Sequence, residues 1–268
     1  MRSVHDLINL DKRHALITGG AGHIGMASAH ALMELGAKVT LLDLDPAKGQ
    51  AQAELLNKQG YKGKAYFVAV DLSKEESLRQ SVQQAVQIMG GLDIIIHSAA
   101  FTGDTKLAGW VVPYPQQSLH AWDACMRINL SAGFLLIQEA LPYLSKSGHG
   151  SVILISSIHG MVGPDMGLYE GTGMGNPMAY GVSKAGLIHM ARYCATVFGD
   201  KFRTNVISPG GVWRNQQEAF HEKYKKRTPF GRMATEEDLK GAVVYLASDL
   251  SAYVTGQNLI VDGGYTAW

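Results

Sequence analysis

Thr18-Gly19-Gly20-Ala21-Gly22-His23-Ile24-Gly25 is the stretch on which the fold turns. It stands between a short apolar run, His14 to Thr18, and an amphipathic segment, Ile24 to Leu35. A glycine-rich turn between a strand and a helix lets the backbone approach a pyrophosphate. The helix behind it offers free N–H groups and the positive end of its dipole. Glycine alone is a general turn former, so the position of the loop carries the reading. The next predicted strand, Lys38 to Asp43, ends in a carboxylate able to accept hydrogen bonds from adenosine ribose hydroxyls; the competing role for Asp43 is to start the turn that Asp45-Pro46 continues. A 2′-phosphate beside Asp43 would meet like charge, and the loop holds no Lys or Arg to offset it. NAD is therefore expected over NADP.

Outward from this stretch, short β-branched runs alternate with longer amphipathic ones. Strands are predicted over Ala65 to Val70, Leu92 to Ser98, Ser151 to Ser156, Thr204 to Ser208 and Asn258 to Val261. Helices are predicted over Ala47 to Lys58, Glu75 to Met89, around Ala121 to Leu144 and over Ala179 to Phe198. Strands separated by helices of this length need crossover connections, which means a parallel sheet covered on both faces. The expected fold is α/β: a single-domain Rossmann-type doubly wound parallel sheet of about seven strands. No linker, repeat or low-complexity tract interrupts residues 1–268.

The last long helix carries Tyr180-Gly-Val-Ser-Lys184, which sets Tyr180 and Lys184 on one helical face, a turn apart. A free tyrosine, with a pKa near ~10, is a poor base at neutral pH, and a neighbouring ammonium would favour its phenolate. By itself the pair also reads as a solvated helix face. Ser156 and Ser157 lift it, because they end the fifth strand, where open parallel sheets bind ligands.

Over nearly its whole length the chain resembles the short-chain dehydrogenase/reductase family. Thr18, Gly19 and Gly25 meet the family pattern Thr-Gly-x-x-x-Gly-x-Gly; Asp71 is similar to the aspartate at the adenine; Ile128-Asn129-Leu130, Ile155-Ser156-Ser157 and Tyr180-x-x-Ser183-Lys184 resemble its catalytic segments. Ser208-Pro209-Gly210-Gly211-Val212 resembles the loop that meets the nicotinamide, and Pro229 to Arg232 and Val254 to Gly264 resemble its C-terminal features. The resemblance implies a tetrad of Asn129, Ser157, Tyr180 and Lys184. Ser157, the second serine, would hold the substrate oxygen and Tyr180 would move the proton. Lys184 would lower the tyrosine pKa and hold the nicotinamide ribose, and Asn129 would position a water on the proton path. It also implies a cofactor groove of Thr18, Gly19, Gly20, His23, Ile24, Gly25, Asp43, Asp71, Leu72, Ser98, Ala99, Tyr180, Lys184, Pro209, Gly210 and Val212.

Four departures from the family pattern stand out. His23 replaces the middle glycine of the loop, and His97-Ser98-Ala99-Ala100 replaces Asn-Asn-Ala-Gly. Arg214 stands where a threonine would meet the nicotinamide carboxamide, with Asn215 beside it to replace that contact. Arg214 reads either as a partner for a substrate carboxylate or phosphate or as a surface ion pair. The segment between Ser157 and Tyr180 is long and rich in Gly and Pro, so it reads as a mobile loop with few side-chain contacts. Substrate loops are expected near 101–118, 158–178 and 211–232, with Tyr169, Glu170 and Met174 reaching substrate. The competing role for the loop near 158–178 is subunit contact. A short likeness to members associated with bacterial sugar and nonulosonic-acid biosynthesis suggests a polar, sugar-like substrate.

Composition narrows the rest. A formal net charge of +1 gives no field to recruit nucleic acid or an acidic membrane, and His221 to Arg227 reads as a solvated helix. No run approaches a membrane span or a signal peptide. Two cysteines, Cys125 and Cys194, read as buried free thiols of a reducing, cytoplasmic compartment. Ten histidines form no paired metal-ligand motif, so no metal is expected. The leading function is an NAD-dependent oxidoreductase acting on an alcohol or ketone of a polar or sugar-derived small molecule, in a homo-oligomer. The alternatives are a reductase of carrier-bound 3-oxoacyl chains and a cofactor-binding regulator without turnover.

Overall fold

The computed structural model describes residues 1–102 and 106–268. Strand β1 (His14–Thr18) leads through the glycine loop into α2 (His23–Glu34), after a short α1 (Val4–Ile8) that the sequence reading missed. Its start is a capping box, in which Ser3 and Asp6 bond each other's backbone N–H. There follow β2 (Lys38–Asp43), α3 (Pro46–Asn57), β3 (Ala65–Ala69), α4 (Glu75–Met89) and β4 (Ile94–His97). The helix expected around Ala121 to Leu144 is instead α5 (Leu119–Met126) and α6 (Ala132–Ser147), separated by a π turn over Arg127–Ser131. Next come β5 (Gly150–Ile155), α7 (Met178–Phe198), β6 (Phe202–Pro209), α8 (Glu218–Arg227), α9 (Glu237–Ala247) and β7 (Asn258–Val261). Of the expected loop 101–118, residues 103–105 lie outside the described residues.

Among the described residues seven strands pair in parallel in the order β3-β2-β1-β4-β5-β6-β7. Alternation decides the layers. Leu16, Ile95, Val152 and Leu154 face α4, α6 and α7, while Ala15, Ile17, Ile96, Ile153 and Ile155 face α2, α3 and α9. A sheet buried on both faces explains why β5 is closed to solvent along its full length. The strand order reverses between β1 and β4, where Thr18 sits opposite His97. In such sheets the crevice at that switch point, at the carboxyl ends of the strands, is where ligands bind. Both cysteines are free and buried, and no helix among the described residues is long and apolar enough to cross a membrane.

Candidate active site

The glycine loop is held by backbone. Gly19 has φ +61°, and a Cβ there would lie 2.8 Å from the Ala99 backbone; one on Gly25 would lie 2.2 Å from the Gly19 carbonyl oxygen. Gly20 N–H donates to Leu42 O at 3.1 Å, and Gly22 N–H to Gly19 O at 3.0 Å. The loop therefore lies flat across the ends of β1, β2 and β4. Gly22 is the N-cap of α2 and supplies no side-chain cap, so the first turn keeps its N–H groups for an anion. Ile24 packs on the core while His23 stands exposed. Asp43 holds the loop from below, accepting from Ala21 N–H at 2.9 Å on one oxygen and from Leu44 N–H at 2.8 Å on the other. Asp45, not Asp43, caps the following helix. These features fit a dinucleotide.

Around this loop the other expected groove residues gather at the strand ends. Ser98 donates from Oγ to Thr18 O at 2.7 Å, and Ala99 N–H to Thr18 Oγ1 at 3.3 Å. Asp71 takes the Ser73 hydroxyl at 2.6 Å, which pulls its carboxyl below the usual range, and Leu72 is buried beside it. Pro209 closes β6, Gly210 N–H bonds Val261 O at 2.9 Å, and Val212 bridges to Ala234.

Ser157, Tyr180 and Lys184 meet beyond the end of β5. Ser156 is spent on the fold, donating to Lys184 O at 2.8 Å, which leaves Ser157 as the serine on the phenol. Ser157 Oγ accepts from His159 N–H at 3.2 Å. Burial pushes the Tyr180 phenol above its ordinary value, against the Ser157 hydrogen bond that pulls it down. The expected depression of Tyr180 by Lys184 is therefore not what this structure shows. The ammonium is itself lowered by burial to about 8, donates to Ile155 O at 2.8 Å, and lies 5.8 Å from the Tyr180 ring centre rather than at the hydroxyl.

Asn129 sits in the π turn with its side chain committed: Oδ1 accepts from Phe101 N–H at 2.6 Å, and Nδ2 donates to Ser183 Oγ at 3.0 Å. Its backbone carbonyl faces the buried His97. Nε2 lies 3.1 Å from that acceptor-only oxygen, so Nε2 carries the proton and Nδ1 accepts from Thr18 Oγ1 at 2.8 Å. Burial, with Lys184 nearby, lowers His97 to about 4, so it is neutral near pH 7. The sequence reading noted His97 only as a departure. In the structure it ties the glycine-loop strand to the turn that holds Asn129.

Beside His159 and the α7 residues Gly181, Val182 and Ala185 opens a cleft of about 1090 Å³, whose wall also includes Val111, Gln117, Met161, Tyr169, Glu170, Met174 and Asn176. All three side chains expected from the long loop line it. That loop is not sparsely held, which corrects the expectation. Leu168 packs with Phe220 and Tyr224 of α8, and Lys223 donates to the carbonyls of Gly167 and Glu170, both at 2.8 Å. Arg214 Nε lies 3.3 Å from Glu236, whose same oxygen is 3.4 Å from His23 Nδ1, and the Arg214 charge also acts on the Tyr180 phenol. No Lys or Arg is among the residues that line the cleft. On α8, Glu218, His221 and Glu222 come within 4.8 Å of one another, a grouping that no spacing motif flagged; Glu222 is already paired with Lys225.

A family model described as enoyl-(acyl carrier protein) reductase matches residues 19–266. The NADP-dependent mannitol dehydrogenase of Hypocrea jecorina is 31% identical over 97% of this chain and 95% of its own. The chain belongs to the short-chain dehydrogenase/reductase family. A 3-oxoacyl-(acyl-carrier-protein) reductase of Thermotoga maritima is 29% identical, over 96% of this chain and 99% of its own. The crystal structure of the NADPH-dependent 3-quinuclidinone reductase of Rhodotorula rubra superposes with a TM-score of 0.87 at 29% identity, covering 100% of this chain and 96% of that one. As a short-chain dehydrogenase/reductase, this protein is an oxidoreductase that transfers a hydride between a nicotinamide cofactor and an alcohol or ketone.

Proposed function

We propose that this short-chain dehydrogenase/reductase uses Asn129, Ser157, Tyr180 and Lys184 to interconvert an uncharged, hydroxyl-bearing alcohol and its ketone with NAD. The observation that carries the reading is the meeting of Ser157, Tyr180 and Lys184 at the end of β5, with a cleft beside His159 whose lining residues include no Lys or Arg. A bound nicotinamide supplies or takes up the hydride. The Ser157 hydroxyl orients the substrate oxygen and the Tyr180 hydroxyl gives or takes its proton. Lys184 spends one N–H on Ile155 O and keeps two for ribose hydroxyls. Asn129 holds the π turn, and its carbonyl has a second lone pair for a water on the proton path.

NAD is proposed over NADP because the Asp43 carboxylate stands at the end of β2, bonded to the glycine loop, where a 2′-phosphate would meet its charge. A neutral, sugar-like substrate fits a wall with His159, Tyr169, Glu170 and Asn176 but no Lys or Arg. Met161, Met166 and Val111 in the same wall favour an apolar flank on that substrate. Exposed Met178, Val182, Tyr193 and Val197 along α7 support assembly into a homo-oligomer, and two buried free thiols support a reducing, cytoplasmic setting.

Tyr180→Phe removes only the transferable proton. Turnover should fall by about 10²- to 10⁴-fold while NADH affinity, followed by fluorescence, stays within about twofold. Turnover above about a tenth of wild type would reject the proton role.

A further inference from the structure

His159 follows Ser157 by two residues, lines the cleft, and sets its ring edge-on to Tyr180 with centres 6.3 Å apart. Its Nδ1 is shut away from solvent without a hydrogen-bond partner. No hydrogen bond to Nε2 is found among the described residues either. Burial lowers the ring to about 4, so it is neutral across the working range and has one N–H and one lone pair to place. A buried N–H without an acceptor costs more than a buried lone pair without a donor. The proton therefore belongs on Nε2, the nitrogen left for a ligand, and His159 presents a hydrogen-bond donor in the wall of the cleft.

We propose that His159 is the specificity-determining residue, donating from Nε2 to an oxygen on the carbon next to the reacting carbon. The preferred substrates are then vicinal diols and α-hydroxy ketones rather than simple alcohols. A neutral oxygen is the partner, because the wall supplies no cation for a carboxylate or phosphate and Glu170 would repel one. This assignment rests on the proposed role of Tyr180, which fixes where the reacting oxygen lies.

The test compares 2,3-butanediol with 2-butanol, which lacks only the second hydroxyl, in wild type, His159→Leu and His159→Gln. Wild type should prefer the diol by at least about tenfold in kcat/KM. Leu should lower the diol value by about 10- to 100-fold and leave 2-butanol within about threefold. Gln, whose amide nitrogen overlies Nε2, should restore most of the diol preference. NADH affinity should be unchanged in both variants. Equal losses on the two alcohols would make His159 merely structural and overturn the proposal. A wild-type enzyme indifferent to the second hydroxyl would overturn it too, even if the Leu variant failed to fold. Both of those outcomes leave the Tyr180 reading standing. A Tyr180→Phe enzyme that oxidised either alcohol at more than about a tenth of the wild-type rate would remove that reading instead.

Discussion

At the glycine loop a Cβ on Gly20 would lie 2.8 Å from Leu41, and one on Gly25 would lie 2.2 Å from a carbonyl oxygen. In the loop over the cleft, a Cβ on Gly163 or Gly171 would meet nothing within 4 Å. The first region is backbone packed on backbone, so its glycines are steric requirements. The second is side chains packed on side chains: Tyr169 lies 5.4 Å from Phe220 between ring centres, Lys223 reaches two carbonyls, and Tyr224 Oη accepts from Gly211 N–H at 2.5 Å. A backbone-built site binds what every member of a family binds. A side-chain-built one can be retuned without disturbing the sheet, which is where substrate choice is expected to change.

The sharpest way to break this comparison is to put the same methyl in both places. Gly25→Ala should cost at least about 100-fold in NADH affinity or about 2–4 kcal/mol in stability, because the Gly19 carbonyl must move. Gly163→Ala should leave both within about 0.5 kcal/mol of wild type. Titration of NADH fluorescence and thermal unfolding read both. Normal NADH binding and stability in Gly25→Ala would end the steric argument.

Acid divides the two histidines along the same line. Both His97 and His159 are lowered by burial to about 4 from an ordinary 6.5. As pH falls the unfolded chain takes up these protons before the folded one does. Their stability contribution is therefore whole above pH 6.5 and is lost as pH falls toward 4, by up to about 3 kcal/mol for each. His97→Asn should flatten part of that acid loss but cost about 1–3 kcal/mol at pH 7, because Thr18 and Asn129 lose their partner. His159→Gln should flatten it at little cost at pH 7. Urea unfolding from pH 7 to pH 4.5 checks both, and equal costs at pH 7 would erase the distinction.

What the sequence made legible follows from how far apart the interacting residues stand. The glycine loop, the Tyr180–Lys184 pair and the alternation of strands with helices rest on local spacing and on hydrophobic pattern, which a chain displays openly. The π turn, the commitment of the Asn129 amide to Phe101 and Ser183, and the Glu236 oxygen shared by His23 and Arg214 join residues remote in sequence. No periodicity marks them. The Tyr180 phenol departs from expectation for a related reason, since spacing shows that an ammonium is near but neither that it turns to Ile155 O nor that burial pushes the phenol up. His159 was overlooked because a lone histidine after a strand has no pattern to belong to.

Cofactor choice tests the backbone-built region where it does depend on a side chain. Asp43→Ala combined with Leu44→Arg should shift preference toward NADP by about 10- to 100-fold, removing like charge and adding a phosphate partner. The loss of the Ala21 N–H bond should also weaken NAD somewhat in the single Asp43→Ala variant. A wild-type enzyme that already preferred NADPH would overturn the assignment.

Lys223 carries the smallest expected effect and bears most directly on the lid. Its ammonium holds the loop from α8 through Gly167 O and Glu170 O, one of the two bonds being exposed, so solvent competes for it. Lys223→Met keeps the aliphatic stem and removes the donors, which should loosen the loop without unfolding it. If the loop closes over substrate, KM should rise by about three- to tenfold with NADH affinity and assembly unchanged, because the carbonyls that Lys223 grips flank Tyr169. If the loop serves contacts between subunits, the same substitution should shift the protein toward smaller species in light scattering and leave KM alone. The packing of Leu168 against Phe220 and Tyr224 supports the first outcome, while the exposed Val162 and Met166 of the same loop are the side chains that would serve the second.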